Sequence, residues 1–263
     1  MIYNRVKTTL NIAEVWYTNS QIPLALKSKP DVIRCHYMNE MPPKGVSQEN
    51  LFTILIELSQ TEEEIIKKLS NTTRYQVNRG KLKDDVIVET FFASGCKDVD
   101  KITQYINFFN DFARSKNRGL VIFSDYEKFI TENTLCIRTV QDINTHENLS
   151  MHAYIVSDSK ARLHQSSSTF RNLDDKNERS RIGRANRFLH FDDMIYFKQL
   201  GISFYDFGGW YGGKGDQQKI AINQFKESFG GQKHPEFSCV IPVSFKGKLF
   251  VFAREILKRL KIK

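Results

Sequence analysis

Three short apolar runs, residues 135–140, 149–156 and 161–168, follow one another so closely that only tight turns can join them. Asn144 and its polar neighbours supply one turn, and Asp158-Ser159-Lys160 supplies the other. Strands joined this way pair antiparallel. A helical stretch follows over about residues 185–200, with Phe188, Phe191 and Ile195 on one stripe and Gly201 as its stop. The next strand, residues 203–207, is reached across that helix and is expected to run parallel to the third strand of the meander. An antiparallel meander followed by a helical crossover commits the chain to an α/β architecture with a mixed sheet and helices on both faces.

The rest of the chain fits that order. Residues 51–58 form a continuous apolar run, read as a buried strand. Ser59 or Thr61 caps the next helix, whose first turn holds Glu62, Glu63 and Glu64 and which is expected to end near Gly80. A strand is read at 86–92, an amphipathic helix over about 98–116 and a short helix over about 125–132. A charged loop over 171–184 precedes the crossover helix. Beyond the strand at 203–207 come a glycine-rich loop, a helix over about 216–229, a strand at 237–243 and a basic helix. Pro23, Pro30, Pro42 and Pro43 break the first 50 residues. The expected division is a partial N-terminal lobe at 1–84, a main domain at 85–245 and a C-terminal helix at 246–263.

Composition narrows the class of partner. The net charge is +9 and the isoelectric point about 9.3, which favours anionic partners. Residues 246–263 hold seven basic side chains and one acid, Glu255, so +6 of the excess lies in the tail. That tail is apolar on one side and basic on the other, which suits either docking on its own sheet or an anionic membrane face. Cys35, Cys96, Cys136 and Cys239 lie far apart with no metal-binding spacing, so neither zinc nor a disulfide scaffold is expected. No signal-type apolar stretch opens the chain and no run approaches the length of a membrane span, so a cytoplasmic protein, peripheral at most to the inner membrane surface, is expected.

The chemistry concentrates near the end. Tyr205-Asp206-Phe207-Gly208-Gly209 reads as a strand running into a glycine turn, where backbone can approach a ligand closely. Phe225-Lys226-Glu227-Ser228-Phe229-Gly230-Gly231 reads as a helix end that sets a lysine in an apolar wall. Either Lys226 acts there or it reaches out to solvent. His164 has the ordinary pKa of a general base, and His152 stands on the neighbouring strand. Asp206 either orients an acceptor or satisfies donors in the turn. Trp210 and Tyr211 either stack on a sugar or plug the core.

Further residues carry a family resemblance. Arg181-Ile182-Gly183-Arg184-Ala185-Asn186-Arg187-Phe188-Leu189, Lys198-Gln199-Leu200-Gly201-Ile202, the Tyr205–Gly209 turn, Gly215-Asp216 and Phe225-Lys226 with Phe229-Gly230-Gly231 together resemble the Fem-type branch of the GNAT acyltransferase superfamily. Arg74-Tyr75-Gln76-Val77-Asn78-Arg79-Gly80 is similar to the same branch's entry segment. The similarity spans about residues 51–243. Classical bridge-forming members have two complete lobes and often a coiled-coil arm, which this chain lacks.

The resemblance implies a GNAT-type fold in which the third meander strand and the fifth strand splay to admit a donor. It implies donor contacts from Gln165, Ser166 and Ser167, with the neighbouring Ser168 in the same segment. A phosphate site is implied where the loop meets the helix, at Arg179, Arg181, Ile182, Gly183, Arg184 and Ala185. Gly208, Gly209, Trp210, Tyr211 and Phe225 are the implied acceptor wall, and Lys226 the implied reaction centre; the base is left open among His164, Asp206 and water. The implied donor is acetyl-CoA or another acyl-CoA, with aminoacyl-tRNA as the alternative and no metal. The implied acceptor is an amine on an amino sugar, amino acid or cell-surface precursor. A non-catalytic RNA- or membrane-binding module on the same fold is the reading from outside enzymology.

Overall fold

The computed structural model describes residues 2–7, 10–17, 29–41, 47–93, 99–169 and 174–259. The chain forms two units, Ile54–Gln232 and a smaller one made of Met1–Thr53 with Lys233–Lys263. These bounds correct the expected ones at 84/85 and 245/246. Val77 belongs to the same core as Phe191 and Phe229, so residues 54–84 are part of the larger unit. The last strand pairs back onto the N-terminal strands.

In the smaller unit, β1 (Ile2–Lys7) and β2 (Leu10–Trp16) are antiparallel. Strand β3 (Val32–Met38) runs parallel to β2. β10 (Gln232–Pro242) runs antiparallel to β3 and sets Cys239 opposite Cys35. Both thiols are buried and free. The prolines at 23 and 42–43 lie outside the described residues. Strand β4 (Ser47–Glu57) takes in all but the last residue of the expected run at 51–58, and α7 (Phe245–Arg259) is the last described helix; the expected helix end at 260–263 lies outside the described residues.

The larger unit orders its strands β4-β9-β8-β7-β6-β5. Helix α1 (Glu62–Lys68) opens with a capping box in which Thr61 and Glu64 satisfy each other's backbone N–H groups. Helix α2 (Asn71–Lys83) runs past Gly80, the expected stop. That glycine lets two helices approach: a Cβ there would lie 3.0 Å from Phe188 and 3.1 Å from the Arg184 carbonyl. Strand β5 (Val86–Phe92) leads to α3 (Val99–Arg114), which buries Ile102, Tyr105, Ile106 and Phe109. A 3-10 turn (Phe123–Asp125) and α4 (Glu127–Thr131) follow.

The meander is as expected. β6 (Leu135–Asp142), β7 (Asn148–Val156) and β8 (Lys160–Ser168) pair antiparallel in sequence, and β9 (Phe204–Gly209) joins β8 in parallel. Crossover helix α5 (Lys176–Gln199) begins nine residues before the expected Ala185. Asp175 caps it by accepting the Asn177 N–H at 2.8 Å, and its early arginines are held by distant acids, described below. Helix α6 (Gln217–Glu227) follows β9 and is capped by Asp216. This is the mixed α/β, GNAT-type architecture anticipated from element order.

The core of the larger unit gathers Ile54, Ile56, Leu58, Tyr154, Phe191, Met194, Phe197, Tyr205, Phe207 and Phe229. Phe197 is fully buried, edge-on to Tyr154 at 4.8 Å. Deleting such a ring leaves a cavity that a close-packed core closes only in part. Phe197→Ala is expected to cost about 3–5 kcal/mol in denaturant unfolding; a loss below about 1 kcal/mol would show that this core is loosely packed.

Candidate active site

Strands β8 and β9 pair over three registers only: Lys160 with Phe204, Ala161 with Tyr205 and Arg162 with Asp206. Beyond that point both continue, to Ser168 and Gly209, without pairing. Two local features pry them apart. Fully buried Asp206 accepts from Arg162 Nη1 at 2.6 Å and from the Gly208 N–H at 2.8 Å, with Lys160 Nζ 3.7 Å away. Gly208 then takes φ +72°, and a Cβ there would meet the Leu163 carbonyl at 3.1 Å. On the other strand, Ala153 faces Gln165 and Tyr154 faces Leu163, so His164 is the extra residue of a β-bulge.

The parted strands open a cleft of about 790 Å³. Its walls are residues 163–168 of β8, residues 207–209 of β9, one face of α5 and one face of α6; the end of α3, with Lys116 and Arg118 just beyond it, completes the rim. Lys116, Arg118, Arg187 and Lys226 line it, and no carboxylate does among the described residues.

Lys226 stands where the resemblance implied, in the mouth of the splay. Its ammonium donates to the Gly208 carbonyl at 3.3 Å and to the Gly209 carbonyl. An ammonium has three N–H donors, so one remains for the cleft. Desolvation, opposed by Asp206 and reinforced by Arg162, pushes its pKa down to about 8. Phe225 beside it forms a wall with Phe207 and Phe229. The Arg187 guanidinium lies 4.9 Å over the Phe225 ring. Its Nη1 reaches the Gly183 carbonyl at 3.5 Å, while its Nε is buried with no hydrogen-bond partner among the described residues. Burial lowers its pKa below the ordinary value.

Behind this surface lies a buried polar chain. Asp193 accepts from Arg138 Nε at 2.8 Å, from the Tyr154 hydroxyl at 2.5 Å and from His152 Nδ1 at 2.7 Å. Tyr154 meets the Tyr205 hydroxyl at 2.8 Å, and Tyr205 meets His190 Nδ1 at 2.8 Å. Burial first, and Asp193 second, push both phenols far above their ordinary pKa, so both keep their protons. The polarity of the chain follows from the carboxylate. Tyr154 spends its proton on Asp193, so it accepts from Tyr205; Tyr205 spends its proton there and accepts from His190. His190 is thus the Nδ1–H tautomer, and its Nε2 carries the lone pair. His190 lines the cleft, and Nε2 has no partner among the described residues. Burial, then stacked His152, Arg187 and Lys226, lower its pKa well below the ordinary histidine value, so it is neutral at pH 7. His152, His190 and Asp193 also have metal-ligand composition, yet the Asp193 oxygens and both facing ring nitrogens are already hydrogen-bonded to protein.

The other anticipated residues divide sharply. His164, Gln165, Ser166, Ser167, Ser168, Gly183, Gly208, Gly209 and Phe225 line the cleft. His164 is exposed along one edge, with its ring against Phe129 and Tyr126. Desolvation, Lys128 and Arg162 lower its pKa to about 4; the exposed edge tempers the first of these, and the direction keeps the ring neutral. Gln165 Oε1 is held from beneath by the hydroxyls of Tyr105, at 2.8 Å, and Tyr126.

Corrections fall on the rest. Asp206 is spent inside the sheet and has no cleft surface, so it is not placed to act as a base. His152 is also buried behind the wall. Arg179, Arg181, Ile182, Arg184 and Ala185 lie within α5, not at its start, and do not line the cleft. Arg181 binds Asp142, Glu178 and the Asp84 carbonyl; Arg184 binds Asp84 in a fork at 2.7 and 2.8 Å. Ile182 and Ala185 are core residues with Val140 and Leu189. Trp210 packs on the core and donates to Glu227 at 2.7 Å. Tyr211 is latched by its backbone to Asn223, at 3.0 and 2.8 Å. Neither aromatic lines the cleft.

Among the cleft residues that sequence reasoning passed over are Asn186, Arg187 and His190 of α5. The signal was present: Gly183, Arg187 and His190 recur at steps of four and three, the spacing of one helix face.

No protein-family model matches the chain, and no curated protein matches it by sequence. Solved structures share the fold. FemX superposes with a TM-score of 0.61 at 11% identity, over 92% of this chain and 84% of that one. The C-terminal domain of a putative lysylphosphatidylglycerol synthetase from Agrobacterium fabrum gives 0.57 at 13%, over 97% and 85%. L-PGS from Bacillus licheniformis gives 0.56 at 8%, over 96% and 84%.

Because its pKa is depressed, Lys226 is expected to titrate near pH 8 when its methylated amine is followed by NMR. Between pH 8 and the ordinary lysine value the unfolded chain holds a proton that the folded chain has released, so this group's contribution to stability rises with pH. A midpoint at the ordinary lysine value would mean that water reaches the ammonium freely.

Proposed function

We propose that the chain is an acyltransferase of the Fem-like, GNAT-type kind, joining an acyl or aminoacyl group to an amine of an amino sugar, amino acid or cell-surface precursor. One observation carries the reading: the sheet parts at a cleft where an ammonium, Lys226, and an unprotonated ring nitrogen, His190 Nε2, face the same space. Amine attack on an ester needs both. The amine nitrogen bonds to the acyl carbon, and the carbonyl oxygen gathers negative charge that the third N–H of Lys226 stabilises. The nitrogen's proton passes to His190 Nε2. When the carbon–oxygen bond of the ester breaks, that proton goes to the leaving oxygen. Serving as base, His190 takes the role anticipated for His164 or Asp206; Tyr205 and Tyr154 are positioning residues that fix its tautomer.

The donor is better read as an aminoacyl ester, as in aminoacyl-tRNA, than as acyl-CoA. A diphosphate at the start of α5 would meet Asp175, whose carboxylate already takes the first free N–H, with Asp174 and Glu178 beside it. Helix starts attract anions only while those donors are free. Arg187, with Lys116 and Arg118 at the rim, is left to bind a phosphate or carboxylate carried by either substrate. One structure of like fold is named for lysylphosphatidylglycerol, an aminoacylated lipid. The non-catalytic alternative has no use for an aligned base and ammonium.

Titration with aminoacyl-tRNA and with acetyl-CoA separates the donors. Saturable, steeply salt-dependent binding of the former is expected; a thermal stabilisation by acetyl-CoA alone would restore the thioester donor. With the donor in hand, Lys226→Ala is expected to lower turnover about 10²–10³-fold. His190→Gln is expected to lower it about 10²–10⁴-fold, with substrate binding little changed. Full activity in both variants would refute the mechanism.

A further inference from the structure

Helix α7 presents opposite faces with opposite roles. Its inner face closes on backbone: a Cβ at Gly247 would lie 1.9 Å from the Asp31 carbonyl oxygen, so only glycine fits. Ser244 fixes the start of the helix, its hydroxyl donating to Asp31 and accepting the Gly247 N–H at 3.0 Å. Phe250, Val251 and Glu255 are partly covered on the same side. The outer face carries Phe245, Leu249, Phe252 and Ile256, at steps of four, three and four, so they form one stripe. They are 83, 62, 65 and 41% exposed. Four large apolar side chains in one exposed line mark a surface that works against a partner.

Charge chooses the partner. Lys248 borders the stripe on one side and Lys246 on the other, by helical position. Residues 246–263 carry seven bases against Glu255. Two copies meeting stripe to stripe would bring these like charges together, which opposes self-association. An anionic lipid surface accepts both features: the apolar stripe enters the acyl boundary while the flanking bases meet the head groups. No helix of the described residues is long and apolar enough to cross a membrane, so the contact is peripheral.

We propose that α7 is a membrane-surface helix, binding anionic bilayers through Phe245, Leu249, Phe252 and Ile256 with their flanking bases. The proposal does not depend on the acyl-transfer reading, and its test needs no substrate.

The full chain is floated with vesicles of phosphatidylcholine, with and without phosphatidylglycerol, at low and high salt. Wild type is expected to float with the anionic vesicles, about tenfold more than with neutral ones, and to be released by salt. Leu249→Asp with Phe252→Asp is expected to cut that binding about tenfold or more, with circular dichroism and thermal unfolding unchanged, since both side chains face outward. Lys248→Glu, which leaves the stripe intact, is expected to weaken anionic binding alone. Absence of binding to anionic vesicles, equal binding by the Asp variants, or a wild-type dimer that those variants dissociate would each overturn the proposal.

Discussion

A buried carboxylate decides where this sheet opens. Asp206 sits inside the larger unit with Arg162 at 2.6 Å, Lys160 at 3.7 Å and the Gly208 N–H at 2.8 Å. Taking these charges out of water is tolerable only because they compensate one another, and breaking such a set typically costs about 3–5 kcal/mol. The arrangement fixes the last register between β8 and β9. Two residues later Gly208 turns away, and on the facing strand His164 is squeezed into a bulge. The free carbonyls beyond that point are the ones Lys226 holds. A residue read as a candidate base thus acts as the hinge pin of the cleft.

A second buried carboxylate organises what faces the cleft. Asp193 cannot donate, so every neighbour must donate to it, and that one-way demand propagates through Tyr154 and Tyr205 to His190. Arg138 holds the far side of Asp193 and stacks at 4.2 Å on Tyr196. The outcome is a neutral imidazole with a defined tautomer beside two cations, Arg187 and Lys226. Burial lowers the pKa of all three, which keeps the His190 ring unprotonated at neutral pH.

Local pattern carried the sequence reading as far as local pattern reaches. The meander and the parallel return of β9 follow from turn chemistry, helix periodicity and crossover rules, whereas a place for Lys226 at the cleft came only from the family resemblance. The start of α5 did not follow, because its charged first turns look like a loop until Arg184 is seen to meet Asp84, 100 residues away. Asp206 was read two ways and His190 not at all, for the same reason: their partners come from other strands. Cys35 and Cys239 show it most simply, far apart in sequence yet opposite one another across β3 and β10. Side-chain networks are long-range facts, and a single sequence records only their members.

The account rests on which ring nitrogen of His190 is bare. A long-range proton–nitrogen correlation spectrum of the labelled protein at neutral pH reports it directly. The expected result is a neutral ring protonated at Nδ1, with Nε2 unprotonated and the preference lost in Tyr205→Phe. A ring protonated at Nε2, or an imidazolium at neutral pH, would contradict it.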